Sequence, residues 1–303
     1  MSDLGNTVNA ISTEVFGTAP DSVRRAEVGM VNTVCILTVG IGKYILRLNS
    51  EKGAYRESVR ILREADHIGL PVPKIIACGE SEGYEYMVIS FIEGEDLGLV
   101  YQSLTDGEKR LIAKQTAEIQ HKAEKLTCEN RPEPWYGFVE KMLLRAEERM
   151  RQSGYFDPEK ASRIMQEAVY LKSYFESLRP VSYLDDISTK NLLISGGRVS
   201  GVIDIDEVGF GDPMTFVALT RTALLGMGRD DNICEYLLNA MGADETQRTA
   251  EAFYSLMYCA DLMSERGMTF NGRKVEVSKD VINRFNAVYE TFIKNWEERK
   301  KML

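Results

Sequence analysis

Residues 181–213 read VSYLDDISTKNLLISGGRVSGVIDIDEVGFGDP. Two apolar runs, NLLI (191–194) and RVSGVIDID (198–206), flank Ser195-Gly196-Gly197, which predicts an antiparallel strand pair closed by a glycine turn. In such a ribbon the residues farthest from the turn meet, so Asn191 and Asp204 are expected at one end. Asp186 lies in the loop that enters that end. Two carboxylates and an amide gather there without a histidine or thiol. Hard oxygen donors of this kind suit Mg²⁺ shared with phosphates.

Upstream of this stretch the chain changes character once. TVCILTVG (33–40) and KYILRLN (43–49) are β-branched and apolar around Gly40-Ile41-Gly42, a hairpin signature. EKGAYRESVRILREADHIGL (51–70) reads as a helix with Val59, Leu62 and Ala65 on one face, ended by Pro71 and Pro73. KIIACGE (74–80) and YEYMVISF (84–91) form a second predicted hairpin, and one more strand is expected near Val23–Val28. After Ile92-Glu93-Gly94 the pattern turns helical. Thr105-Asp106-Gly107-Glu108 is a capping box, followed by Ile112, Thr116, Ile119, Ala123 and Leu126 along one face. Helices are expected over 135–153, 157–178 and most of 213–303, apart from a loop near 266–275. The expected fold class is α+β: a small antiparallel-sheet lobe over 1–92 with one main helix, then a larger, mostly helical lobe over 93–303.

Composition narrows the chemistry. Lys and Arg number 37 against 46 Asp and Glu among 303 residues, a net charge of −9 that argues against a phosphate-backbone binder and so against a nucleic-acid partner. Only His67 and His121 are present, too few for a multi-histidine metal site, and both fit solvated or structural roles. The five cysteines are scattered, with no C-x-x-C spacing, as in a reduced cytoplasmic protein. The first residues lack a basic-then-apolar signal, and no apolar run reaches the ~18 residues a membrane span needs. No membrane partner is expected.

Against that background, Asp186, Asn191 and Asp204 match what phosphoryl transfer requires: one carboxylate to accept a hydroxyl proton, and an amide plus a carboxylate for the metal. The segment resembles the catalytic and metal loops of the aminoglycoside phosphotransferase and choline kinase superfamily. Leu184-Asp185-Asp186 stands for the family's His-Gly-Asp, Asn191 for its asparagine, Val202-Ile203-Asp204 for its Ile-Asp, and Gly211-Asp212-Pro213 for its Gly-Asp-Pro. KYILRLN and its surroundings look most similar to the hygromycin B phosphotransferase branch.

The resemblance implies a two-lobed protein-kinase-like fold and a kinase that moves the γ-phosphoryl of ATP or GTP, with Mg²⁺, onto an alcohol. Asp186 would be the catalytic base, and Asn191 and Asp204 the metal ligands. Gly29 and Asn32 would belong to the nucleotide-positioning loop. Arg47 takes the place of the strand lysine, with Glu57 as its expected partner, and Lys43 and Lys52 are alternative phosphate ligands. Ser90, Phe91 and Ile92 form the hinge that would meet the purine through backbone groups. An aminoglycoside-like polycation is the expected acceptor, and so an antibiotic-resistance role. Asp185, Asp230, Asp231, Glu235, Asp261 and Glu265 are the carboxylates available to its ammonium groups. The acceptor is otherwise a metabolic sugar or amino alcohol, and the chain is expected as monomer or homodimer. Two departures motivate a third reading, a nucleotide-binding module without turnover: Leu184 replaces the usual histidine, and Arg47 the lysine. Phe216 stands where the family often has a further aspartate, which puts local packing rather than chemistry in question.

Overall fold

The computed structural model describes residues 2–25, 33–128, 134–270 and 272–303. The chain divides into two compact units, one of residues 1–94 and 200–207, the other of 95–199 and 208–303. Gly29 and Asn32 lie outside the described residues.

The first unit opens with helix α1 (Ser2–Phe16), then runs through β1 (Ser22–Arg25), β2 (Thr33–Val39), β3 (Gly42–Asn49), α2 (Arg56–His67), β4 (Ile75–Ser81) and β5 (Tyr84–Ser90). The five strands form one antiparallel sheet in the order β1-β2-β3-β5-β4. β2 and β3 pair from Thr33↔Leu48 to Val39↔Gly42, the hairpin expected from their alternation. One face of this sheet supplies Cys35, Leu37, Leu46, Leu48, Tyr86 and Val88 to a core that Val8 and Ile11 of α1 complete. Removing that apolar surface from water stabilises the unit by about 25 cal/mol per Å².

α2 is shorter than its apolar pattern suggested. It starts at Arg56 because Glu51 to Ala54 form turns. Its buried face carries Ser58, Ile61, Leu62 and Ala65.

Residues 200–207 are stitched into this unit. The Val202 N–H donates to the Pro71 carbonyl at 2.8 Å. A side chain at Gly201 would meet Ile92 at 2.6 Å, so only glycine lets the segment lie this close. Ile205 is buried. Strand structure ends at Val202, and Asp204 belongs to the irregular turn beyond it rather than to the strand expected over 198–206.

The second unit contains β6 (Glu95–Asp96), α3 (Leu97–Val100), α4 (Asp106–Ala123), α5 (Trp135–Ser153), α6 (Glu159–Glu167), α7 (Lys172–Ser177), β7 (Val181–Tyr183), β8 (Leu192–Ser195), the start of β9 (Arg198–Val202), β10 (Gly209–Gly211), α8 (Met214–Gly226), α9 (Asn232–Ala240), α10 (Glu245–Ser264), β11 (Thr269–Phe270), β12 (Arg273–Lys274) and α11 (Lys279–Arg299). The Thr105–Glu108 capping box starts α4, and Ile112, Thr116, Ile119 and Ala123 are buried along it. The helix expected over 157–178 is broken by a 3₁₀ turn at Ala168–Leu171.

β7 pairs with β10 in an antiparallel ribbon that follows the quoted stretch from end to end. Gly211 is required there, because a Cβ would fall 1.7 Å from the Trp135 ring. The next residue, Asp212, is 1% exposed and accepts from Tyr174 Oη (2.6 Å), Tyr254 Oη (2.9 Å) and the Met214 N–H (3.0 Å). Tyr254 Oη accepts in turn from Trp135 Nε1 at 2.7 Å. The Gly-Asp-Pro close is thus an organising node for α5, α7, α8 and α10. Phe216 is buried as an apolar member of α8.

Candidate active site

The loop from β7 to β8 is held from two sides. Leu184 is buried, and the Gln120 amide clasps its backbone: Gln120 Nε2 donates to the Leu184 carbonyl (2.7 Å), and the Leu184 N–H donates to Gln120 Oε1 (2.9 Å). This pair of bonds anchors the loop to α4 without a histidine. On the other side, the Asn191 N–H donates to Asp96 Oδ1 at 3.2 Å and the Gly98 N–H to the Thr189 carbonyl at 2.8 Å.

Between these anchors Asp186 and Asn191 meet. Asn191 Nδ2 donates to Asp186 Oδ2 at 3.0 Å and to the Asp186 carbonyl at 3.1 Å. That contact fixes the amide so that Oδ1 is the end a cation would use. Asp186 is solvent-exposed. Asp185 is half-buried, its Cβ beside Gly209.

In the first unit, Arg47 on β3 forms a two-pronged pair with Asp206: Nη1 to Oδ1 at 2.8 Å and Nη2 to Oδ2. It also lies 4.0 Å from Asp204. Burial pushes the Asp204 carboxyl above the usual carboxylate range, the negative charge of Asp206 adds to the rise, and Arg47 partly offsets it. The Asp204 side chain keeps 59% of its surface accessible, so the desolvation comes from protein around it rather than over it. Burial pushes Asp206 upward too, but the Arg47 hydrogen bond and charge outweigh it and leave that carboxyl below its ordinary value.

Backbone strain marks two of these positions. Three described non-glycine residues have positive φ: Glu82 in a hairpin turn, Asn191 at 65° and Asp204 at 58°. Asn and Asp tolerate the left-handed region better than other side chains, at a cost of order 1 kcal/mol or more.

Several expectations need correction. Glu57 does not pair with Arg47: Arg60, one turn along the same helix, takes it with Nε–Oε2 at 2.9 Å and lowers its pKa. Lys43 pairs with Glu93 (2.8 Å) and Lys52 with Glu80 (3.9 Å). In the hinge, the Ser90 N–H donates to the Lys74 carbonyl and the Phe91 N–H to the Lys43 carbonyl, so both are spent within the unit.

The acidic residues set aside for a polycation have internal partners. Asp230 meets Lys109 at 2.9 Å and Tyr101 Oη at 3.0 Å. Asp231, Glu235 and Glu251 surround Arg221. Asp261 pairs with Arg145 at 3.1 Å and Arg149 at 3.6 Å, and Glu265 lies 4.0 Å from Arg149. Cations of the chain already meet these charges.

Two contributors had escaped sequence reasoning. Asp206 was hidden beside Asp204, although a second acid two residues on is a visible signal. Gln120 lies on the helix that follows the Thr105–Glu108 cap, and nothing local to it announces its contact with Leu184.

The fold agrees with the comparisons. Residues 22–252 match the APH model, described as the phosphotransferase enzyme family. The chain belongs to this family, and it is a phosphotransferase with a hydroxyl acceptor. No curated protein matches. Among solved structures, a thermostable mutant of aminoglycoside phosphotransferase APH(4)-Ia in its apo form is similar at 19% identity and TM-score 0.63, covering 94% of this chain and 99% of that one. A ternary complex of a mutant of the same protein with AMP-PNP and hygromycin B gives 18% and 0.64 over 94% and 98%. ADP-bound APH(2'')-Ib gives 13% and 0.65 over 96% and 98%. At these identities the likeness shows the protein-kinase-like fold, and the scores do not single out the hygromycin branch.

Proposed function

We propose that the chain transfers the γ-phosphoryl group of ATP or GTP to a hydroxyl of a small molecule in a magnesium-dependent reaction. The acceptor oxygen attacks the γ-phosphorus as its proton passes to Asp186, and the bond to the β,γ-bridging oxygen breaks to release the nucleoside diphosphate. The observation that carries this reading is the 3.0 Å contact between Asp186 and Asn191, which presents a base and an amide oxygen side by side in a loop anchored at both ends.

Each candidate ligand is chemically suited to a magnesium ion. Asn191 and Asp204 are hard oxygen donors, and Asp204 is an accessible carboxylate whose raised pKa a cation would relieve. When bound, the ion would neutralise charge on the β- and γ-phosphates. Arg47 would grip the phosphate chain. With Ser90 and Phe91 N–H groups engaged, the remaining backbone groups of Ser90–Ile92 would meet the purine.

Similar solved structures hold hygromycin B or streptomycin, and an aminoglycoside-like acceptor is the first class to test. The internal pairing of Asp230, Asp231, Glu235, Asp261 and Glu265 favours a second reading, a less cationic alcohol such as a sugar or amino alcohol. The experiment is magnesium-dependent nucleotide consumption across aminoglycosides, sugars and amino alcohols. Asp186→Ala is expected to lower turnover by about 10²–10⁴-fold. Turnover that survives Asp186→Ala unchanged removes the assignment of the base. Nucleotide binding without turnover on any acceptor would support the module without catalysis.

A further inference from the structure

Arg47 has a different keeper from the one its helix offers. The strand cation faces α2, yet α2 gives it no carboxylate, since Arg60 holds Glu57. The start of α2 contributes instead Tyr55 at its N-cap, 4% exposed, whose ring lies 5.5 Å from the guanidinium, and Ser58, buried and hydrogen-bonded to Asp206. The carboxylate comes from residues 200–207, where Asp206 takes both guanidinium arms while Asp204 lies 4.0 Å away. The buried Tyr55 side chain thus walls one side of the guanidinium.

We infer that Asp206 is the positioning residue for the phosphate-gripping Arg47, a role that Glu57 does not share. This inference rests on the nucleotide-binding reading above. It follows from geometry. A forked guanidinium held by both oxygens of one carboxylate is fixed in plane and direction, which a single contact would not achieve. Its side chain is only 11% exposed, so water cannot readily substitute for the carboxylate. Because Asp206 sits two residues after Asp204, the grip on the phosphates and the proposed metal ligand are set by one short turn. A displacement of that turn would disturb both together.

The test is calorimetric binding of ADP to the full chain without metal and again with Mg²⁺, alongside thermal unfolding of every variant. Asp206→Asn is expected to weaken metal-free ADP binding by about 10–100-fold, the range seen when a supporting hydrogen-bond partner is lost. Asp206→Glu should recover part of that loss, and Glu57→Gln should bind within about twofold of the parent. In the Arg47→Met background Asp206→Asn should add little, because its effect passes through Arg47. Equal losses for Glu57→Gln and Asp206→Asn, or full affinity in a folded Asp206→Asn protein, would overturn the inference while leaving nucleotide binding intact. A parent chain that binds no nucleotide would instead overturn the functional reading, and the inference with it. Should Asp206→Asn fail to fold, Asp206→Glu against Glu57→Gln decides the same question.

Discussion

Asp212 and Asp204 are carboxylates pushed the same way for opposite ends. Burial raises both above the ordinary range. Asp212 answers that cost with three neutral donors, two tyrosine hydroxyls and one backbone N–H, and has essentially no surface left. Asp204 has a guanidinium at 4.0 Å whose two arms belong to Asp206, a second negative charge close by, and more than half of its surface accessible. One carboxylate is electrostatically complete and serves the fold. The other is incomplete and open, as the proposed metal-binding role requires. A raised pKa does not separate the two, whereas the inventory of donors does.

That contrast is broken most severely at Asp212. Asp212→Ala would strand two buried tyrosine hydroxyls and the Met214 N–H, at about 1–3 kcal/mol for each group. A fall in unfolding free energy of about 3 kcal/mol or more is expected by denaturant titration, whereas Asp204→Ala should cost only about 1 kcal/mol, the penalty of placing alanine in the left-handed backbone at that residue. Equal destabilisation by the two substitutions would erase the distinction between a structural and a functional carboxylate.

A smaller effect is expected at Gln120, which clasps the backbone of Leu184, the residue at the histidine position of the family motif. Gln120→Ala leaves a buried N–H and carbonyl of Leu184 unpaired, a loss of about 1–3 kcal/mol. Hydrogen exchange should show faster opening of residues 184–191 in this variant than in the α10 core. Unchanged protection of that loop would mean that the contacts from Asp96 and Gly98 suffice.

The sequence made the periodic elements legible. The hairpin of β2 and β3, the Thr105–Glu108 cap and the buried face of α4 all follow from short-range patterns. Helix α1 carried a readable signal in Leu4, Val8, Ile11 and Val15 at helical spacing, but Gly5, Asn6 and Thr7 dilute it with poor helix formers. The Asp186–Asn191 contact was readable because both residues sit on one loop. The partner of Arg47 was not: Asp206 lies 159 residues away, and a carboxylate on the adjacent helix was the simpler expectation until Arg60 is seen to claim it. Likewise, no pattern along α9 and α10 reveals that their acids are spent on Arg221, Arg145 and Arg149. Local periodicity fixes which residues share a face, but the pairing of charges is decided by tertiary neighbours.

The finest test of the comparison is pH. The folded-state pKa of Asp212 is raised, so its contribution to stability is fully present below the unfolded carboxylate pKa and is lost as pH rises through the folded value. Asp212→Asn removes that titration while keeping one acceptor oxygen. The advantage of the parent over Asp212→Asn should therefore be largest on the acid side and shrink as pH rises through the folded pKa. Asp206 runs in the opposite sense. Its pKa is lowered by Arg47, so its contribution is present above the unfolded carboxylate pKa and is lost as pH falls through the folded value. The parent's advantage over Asp206→Asn should accordingly shrink toward acid. Denaturant titrations of the three proteins at matched ionic strength would show two stability differences with opposite slopes. Parallel slopes would mean that Asp212 is as anion-stabilised as Asp206 and that its three neutral donors outweigh burial.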